Sequence, residues 1–324
     1  MRMFAFDPEE YRDVYKQQGW VHIRGGLEPE FLETLRKAVG LHDEHRVEGR
    51  AIGGRKTQSL FDFPPDVAFP GELFDIVASL CDLERPSMTL SERHIKAYDP
   101  DAEPEPTAHK DRLASQVSMG LSIDVPPESR LVLYPDDDRW ENPFNISAAL
   151  LPSLAPHRQP DIILRDARAI ELSDTAGDVV VFPGSSMWHL RRRPANVVNL
   201  YLKFNAFGSD PLGEDPATDR RREETLAALA DGADSVEKLV PVRARRLDTI
   251  GKVETRSGSE AYEARVWERE PLRLEQLDMN LIRATDDGKD AVALATAVGV
   301  DVESGVARLR HLAEKGVLDL VRLG

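Results

Sequence analysis

Residues 177–208 read "GDVVVFPGSSMWHLRRRPANVVNLYLKFNAFG", and their reading decides the fold. A glycine turn leads into "VVVF", an unbroken β-branched and aromatic run that Pro183 and Gly184 end. A half-buried strand would alternate, so a continuous apolar run marks one that is covered on both faces. His189 follows, placed at the mouth of a β-core, and then come Arg191, Arg192, Arg193 and Pro194. The next stretch, "NVVNLYLKFNAF", does alternate. Val198, Leu200, Leu202 and Phe204 fall on one face, and Asn199, Tyr201, Lys203 and Asn205 on the other.

Working outward, short apolar or alternating segments recur from residue 87. They are "MTLSERHIKAY", "SQVSMGLSIDV", "SRLVLYP", "NISAALLP" and "DIILRDARAIEL", separated by Pro, Gly and Asp. Short strands at this spacing predict an all-β sandwich or barrel, not a βαβ sheet. Before them the texture is helical. Asp7 reads as an N-cap and Gly19 as a helix stop, "WVHIRG" as a strand, "LEPEFLETLRKAV" as a helix with Pro29 in its first turn, and 71–81 as a further helix. Residues 1–208 are therefore expected to be one domain, with helices packed outside a β-core of about 87–208.

A linker with a charged helix is expected over 209–235, and a small C-terminal domain over 236–324. In that domain, helices are predicted at 274–284, 290–298 and 302–315, with Asp301 as an N-cap and Gly299 and Gly316 as stops. Three helices and a closing strand resemble a winged-helix module. The expected fold is thus mainly β with flanking helices, plus a small winged-helix-like α/β module.

The composition narrows the function. Of 324 residues, 41% are apolar and 31% charged, which suits a globular chain with a proper core. No run of 18 apolar residues occurs, so no membrane helix is expected, and the acidic N-terminus does not read as a signal peptide. Cys81 stands alone, which excludes an internal disulfide and a cysteine-built zinc site and fits a reducing cytoplasm. A net charge of −15 works against nucleic acid or an anionic membrane as partner.

The histidines carry the chemistry. His109 and Asp111, in "TAHKDR", are two residues apart and face the same way in an extended segment. They could bind one ion together, with His189, 78 residues beyond Asp111, arriving from another strand. Two imidazoles and a carboxylate on one face of a metal form the facial triad of non-haem Fe(II) oxygenases, whose open positions take co-substrate and O₂. His22, His42, His45, His157 and His311 have no metal-compatible neighbours in sequence and read as surface or core residues.

With its order and context, this pattern resembles the Fe(II)/2-oxoglutarate-dependent dioxygenases, most closely their phytanoyl-CoA-dioxygenase-like branch. "YKQQGWVHIRGGLEPEFLETLRKAV" is similar to that branch's opening, "AHKDR" to its HxD, and "GDVVVFPGSSMWH" to its approach to the distal histidine. The resemblance covers roughly residues 8–207. It implies a double-stranded β-helix (jelly-roll, cupin-like) core with Fe(II) held by His109, Asp111 and His189. It also implies 2-oxoglutarate and O₂ as co-substrates, a small-molecule substrate hydroxylated by default, and succinate and CO₂ as products. The cation that holds the far carboxylate of 2-oxoglutarate often follows the distal histidine by about ten residues, where this chain has Asn199. Lys203 on the polar face, Arg193 before Pro194, and Lys96 and Tyr98 on the preceding strand are the alternatives. Trp188 reads either as a wall of the substrate pocket or as core.

Two other classes stay open. One is a cupin-like isomerase or binding protein without redox chemistry. The other is a winged-helix regulator with a ligand-sensing β-domain. Residues 270–324 carry 7 Lys and Arg against 10 Asp and Glu, whereas a DNA reader needs a basic face. A protein contact or homodimer through the C-terminal module suits that balance better.

Overall fold

Gly19 ends the first helix as its position predicts, in the left-handed conformation at φ 79°, with its N–H bonded to the Tyr15 carbonyl. The computed structural model describes residues 1–41, 55–67, 69–102, 106–136, 139–254, 260–267, 269–285 and 288–322. His42 and His45 lie outside them. The chain divides into two units, Met1–Gly208 and Ser209–Gly324.

In the first unit the elements run α1 (Glu9–Gln18), β1 (Val21–Ile23), α2 (Pro29–Leu41), β2 (Lys56–Leu60), α3 (Gly71–Cys81), β3 (Thr89–Tyr98), β4 (Val117–Asp124) and β5 (Arg130–Tyr134). Then come α4 (Leu150–Ser153), α5 (Pro160–Ile163), β6 (Ile170–Leu172), β7 (Val179–Phe182), β8 (Trp188–Arg192) and β9 (Val198–Asn205). The strands form a six-stranded sheet, ordered β1-β7-β4-β9-β3-β2, and a three-stranded sheet, ordered β6-β5-β8. The described pairings within both are antiparallel.

The "VVVF" run is buried on both faces for a visible reason. Val179 and Val181 join the core shared with the helices, including Phe31, Leu35, Leu73 and Val77. Val180 and Phe182 point the other way, onto Leu131, Leu133 and Leu172 of the small sheet. Leu200, Leu202 and Phe204 of β9 and Met119 and Leu121 of β4 fill the helix-side core. On β9, β3 and β4 the opposite face is thereby left to polar or small side chains. On β3 a register shift between Leu90 and Glu92 resets the alternation. Leu90 and Ile95 consequently both face the helix-side core, although they are an odd number of residues apart.

Two expected strands are helical. In "NISAALLP" the chain forms a short 3₁₀ turn and α4, and "DIILRDARAIEL" begins as α5, reaching strand only at Ile170. Pro160 at the first helical turn favours that start. The apolar residues of these segments, Leu150, Leu164 and Ile163 among them, pack around Trp188 and do not alternate across a sheet.

In the second unit the elements are α6 (Pro216–Ala230), α7 (Ala233–Glu237), β10 (Val240–Arg243), β11 (Leu247–Glu254), β12 (Glu260–Val266), β13 (Leu272–Leu274), α8 (Gln276–Ala284), α9 (Ala291–Val298), α10 (Val302–Glu314) and β14 (Leu318–Val321). Leu229 of α6 and Val236 of α7 belong to this unit's core, so residues 209–235 are part of it. The three C-terminal helices fall where their caps predict. β14 pairs with β10, and an antiparallel sheet not expected from the sequence, β11-β12-β13, completes the described strands of this unit.

Candidate metal centre

The main chains of His109 and His189 bond to each other twice, each N–H donating to the other's carbonyl at 2.9 Å. This antiparallel bridge extends β8 on the side away from β5 and sets the imidazole centroids 4.4 Å apart. Two residues on, the N–H of Asp111 donates to the Gly184 carbonyl at 2.9 Å, and the Asn142 amide donates to the Asp111 carbonyl at 2.8 Å. The Pro183–Gly184 stop therefore also clamps the HxD segment. Only glycine fits there, since a Cβ at 184 would lie 2.1 Å from Ser118 Oγ and 2.5 Å from Asp111 Oδ2.

His109, Asp111 and His189 bring one ligand atom each within 4.8 Å of one another. Each imidazole donates Nδ1–H to the carbonyl two residues earlier, His109 to Thr107 at 2.9 Å and His189 to Met187 at 3.0 Å. A carbonyl can only accept, so the tautomer is fixed and each Nε2 is left with a lone pair. Burial lowers the pKa of both histidines, that of His109 strongly, which keeps the imidazoles neutral as metal ligands must be. Burial opposes the charge on Asp111, yet the Lys203 ammonium beside it outweighs it and holds the carboxyl well below the usual range. Two neutral nitrogens and one carboxylate oxygen suit a first-row divalent ion with open positions.

The triad faces a cavity of about 190 Å³. Five cations line it, Lys56, Lys96, Arg112, Arg191 and Lys203, against two carboxylates, Glu92 and Asp111. The polar face of the large sheet supplies most of them. Glu92, Lys96 and Tyr98 come from β3, Lys56 from β2, and Tyr201 and Lys203 from β9. On β4 that face carries small residues: Ser118, which donates to Asp111 Oδ2 at 2.7 Å; Gly120, whose Cβ would touch the Tyr201 ring; and Ser122, which donates to Asp174 at 2.7 Å.

The expected site residues divide. Lys203, Lys96 and Tyr98 line the cavity. Lys203 is engaged there with protein carboxylates, 2.7 Å from Asp111 Oδ1 and 3.3 Å from Glu92. Arg193 is a correction: it sits in the turn before Pro194 with φ 49° and an exposed side chain, away from the cavity. Arg191, two residues from His189 and on the same face of β8, lines the cavity. It is buried and held by Asp174 through two bonds of 2.6 and 3.0 Å. The same i, i+2 spacing that joins His109 to Asp111 would have found it. Asn199, at the departure from the family pattern, is buried, and with its amide turned over its side-chain oxygen accepts from Arg191 at 3.0 Å while its nitrogen donates to the Val198 carbonyl. Trp188 is core, 1% exposed and packed edge-to-face on Trp140. His22 Nε2 bonds to Asp178 at 2.9 Å.

No protein-family model matches the chain, and no curated protein sequence matches it. Several solved structures are similar to part of it. A Pseudomonas putida prolyl-4-hydroxylase is 16% identical, with TM-score 0.44 over 61% of this chain and 98% of that one. The epimerase SnoN in complex with Fe³⁺, alpha ketoglutarate and nogalamycin RO is also 16% identical, with TM-score 0.44 over 61% and 82%. HygX from Streptomyces hygroscopicus, with nickel, 2-oxoglutarate and hygromycin B bound, is 11% identical, with TM-score 0.39 over 62% and 88%. Likeness at this level transfers no residue's role from those chains to this one.

Proposed function

We propose that the chain is a non-haem, Fe(II)- and 2-oxoglutarate-dependent oxygenase acting on a small molecule. One observation carries the reading: a two-histidine, one-carboxylate triad faces a cavity whose lining holds five cations against two carboxylates, in a protein of net charge −15. Such a cavity selects an anion beside a metal, and 2-oxoglutarate is a dianion that chelates one. Arg112 and Arg191 also keep buried guanidinium N–H groups with no acceptor among the described residues, which fits a carboxylate-bearing guest.

In this reading His109, Asp111 and His189 hold Fe(II). With 2-oxoglutarate and O₂ bound, such a centre would supply oxidising chemistry for a substrate C–H bond, with succinate and CO₂ as co-products. The residues here orient and neutralise: Arg191, fixed by Asp174, faces the far carboxylate, and Lys96 and Tyr98 complete its surroundings. Hydroxylation is the simplest outcome. The second unit, acidic over 270–324, suits a protein contact or homodimer rather than nucleic acid. Among the described residues no helix is long and apolar enough to cross a membrane.

The test is anaerobic addition of Fe(II) and then 2-oxoglutarate. A visible charge-transfer band in the wild type, absent in His109→Ala, is expected, with succinate released once O₂ is admitted. Metal binding without any response to 2-oxoglutarate would overturn the oxygenase and return the cupin-like reading.

A further inference from the structure

The two oxygens of Asp111 have different surroundings. Oδ2 lies 3.8 Å from His189 Nε2, on the triad side, and accepts from Ser118. Oδ1 accepts from Lys203 Nζ at 2.7 Å. Lys203 is 3% exposed and is fixed by its place in the sheet. Across β9 its register partners are Glu92 on β3 and Ser118 on β4, so three adjacent strands set Glu92, Lys203 and Ser118 in one row. Glu92, 1% exposed, holds the ammonium from the far side at 3.3 Å. Lys96 at 2.9 Å and Arg112 at 3.1 Å anchor Glu92 in turn.

We infer that Lys203 is a positioning residue that restricts Asp111 to ligation through Oδ2 alone. A carboxylate free to rotate can present both oxygens to one ion and fill a position that a chelating 2-oxo acid needs. With Oδ1 bound to an ammonium, that edge stays open. Glu92 gives the arrangement its charge balance, since a lone buried ammonium beside a metal would be costly and would repel the ion. The inference rests on the metal centre proposed above, and it gives Lys203 a different role from anchoring the far carboxylate.

Co(II) is the probe, because its ligand-field spectrum reports coordination number, and oxalate is the chelating anion. Lys56→Met removes one charge from the same cavity at a side chain that does not contact Asp111, so it is the control for charge. The expected result is a Co(II) spectrum in Lys56→Met like that of the wild type, and a changed one in Lys203→Met. Oxalate affinity should fall about tenfold further in Lys203→Met than in Lys56→Met, the scale on which second partners of metal ligands act. The Glu92→Gln/Lys203→Met pair, which keeps the charge balance, should show the same spectrum as Lys203→Met and covers the case in which the single variant does not fold. A Lys203→Met or paired-variant spectrum that superimposes on the wild type overturns the inference, whatever happens to oxalate. Failure of the wild type itself to bind Co(II) overturns the metal centre instead.

Discussion

His109 and His189 are joined through their main chains, not their side chains, by the two reciprocal 2.9 Å hydrogen bonds between them. The bridge survives truncation of either imidazole, so metal binding and folding separate at these positions. His109→Ala, His189→Ala and Asp111→Ala should each lower Co(II) or Fe(II) affinity by more than about a hundredfold, since outer partners of ligands alone are worth ten- to a hundredfold. The two histidine variants should stay within a few degrees of the wild-type melting temperature. Metal titrations beside thermal melts of the metal-free protein check both halves.

Gly184→Ala should be costly despite its small size. The added Cβ meets Ser118 Oγ at 2.1 Å and Asp111 Oδ2 at 2.5 Å, and neither belongs to a long, flexible side chain. A loss of about 1–3 kcal/mol in denaturant unfolding is expected, as for overpacked cores, together with weakened metal binding. Adding Ser118→Ala should return part of the stability. Gly251→Ala, where nothing lies within 4 Å, serves as the control and should stay within about 0.5 kcal/mol.

Arg191 and Arg193 differ by one turn of the chain and should differ in consequence. Arg191→Met should weaken anaerobic 2-oxoglutarate binding by about ten- to a hundredfold, the worth of charge-assisted hydrogen bonds. Arg193→Ala should change it less than twofold. Because Arg191→Met strands the buried Asp174, the Asp174→Asn/Arg191→Met pair should show the same binding defect with stability recovered. Equal defects at 191 and 193 would remove Arg191 from the site.

Cys81 should be unreactive in the native protein. Burial raises its thiol pKa to about 12, against a hydrogen bond from Tyr15 that lowers it. The thiolate attacks and the thiol does not, so at pH 8 the native side chain should react roughly a thousandfold more slowly than an unperturbed cysteine. The raised value also means that the unfolded chain loses this proton first as pH rises. The Cys81 contribution to stability should therefore decline above about pH 9, the slope approaching 1.4 kcal/mol per unit. Disulfide-exchange kinetics with and without denaturant, and unfolding of wild type and Cys81→Ala from pH 8 to 10, test the two statements.

What the sequence disclosed was whatever local spacing encodes. The triad was legible because HxD in extended chain puts two ligands on one side, and because a glycine-ended apolar run points to the third. The polar face of β9, Lys203 included, followed from simple alternation. The lining contributed by Lys56 and Gln58 was not legible, since "KTQSL" shows no apolar period that would mark an edge strand. Glu92 shares an unbroken alternation with Lys96 and Tyr98 and was legible by that spacing, whereas Asp174 was hidden by its place in a loop whose partner, Arg191, is distant in sequence. Arg193 was misleading because three adjacent arginines look alike until the end of β8 is known. In the second unit the three capped helices were plain, whereas β11 to β13 carry charged residues at many positions and gave little period to read.

The irregularity at Ser91 gives the site a sensitivity of another kind. With its hydroxyl turned to the carbonyls of Ala114 and Lys203, Ser91 is the extra residue that lets Leu90 face the helices and Glu92 face the cavity. Were Ser91 paired in register like its neighbours, the rest of β3 would turn over and carry Glu92, Lys96 and Tyr98 into the apolar layer, without one side chain altered. The strand thus behaves like a text with a reading frame. Deleting Ser91 itself keeps the frame, because Leu90 and Glu92 then alternate regularly, whereas adding or deleting a residue between Glu92 and Tyr98 turns over part of the face that lines the cavity.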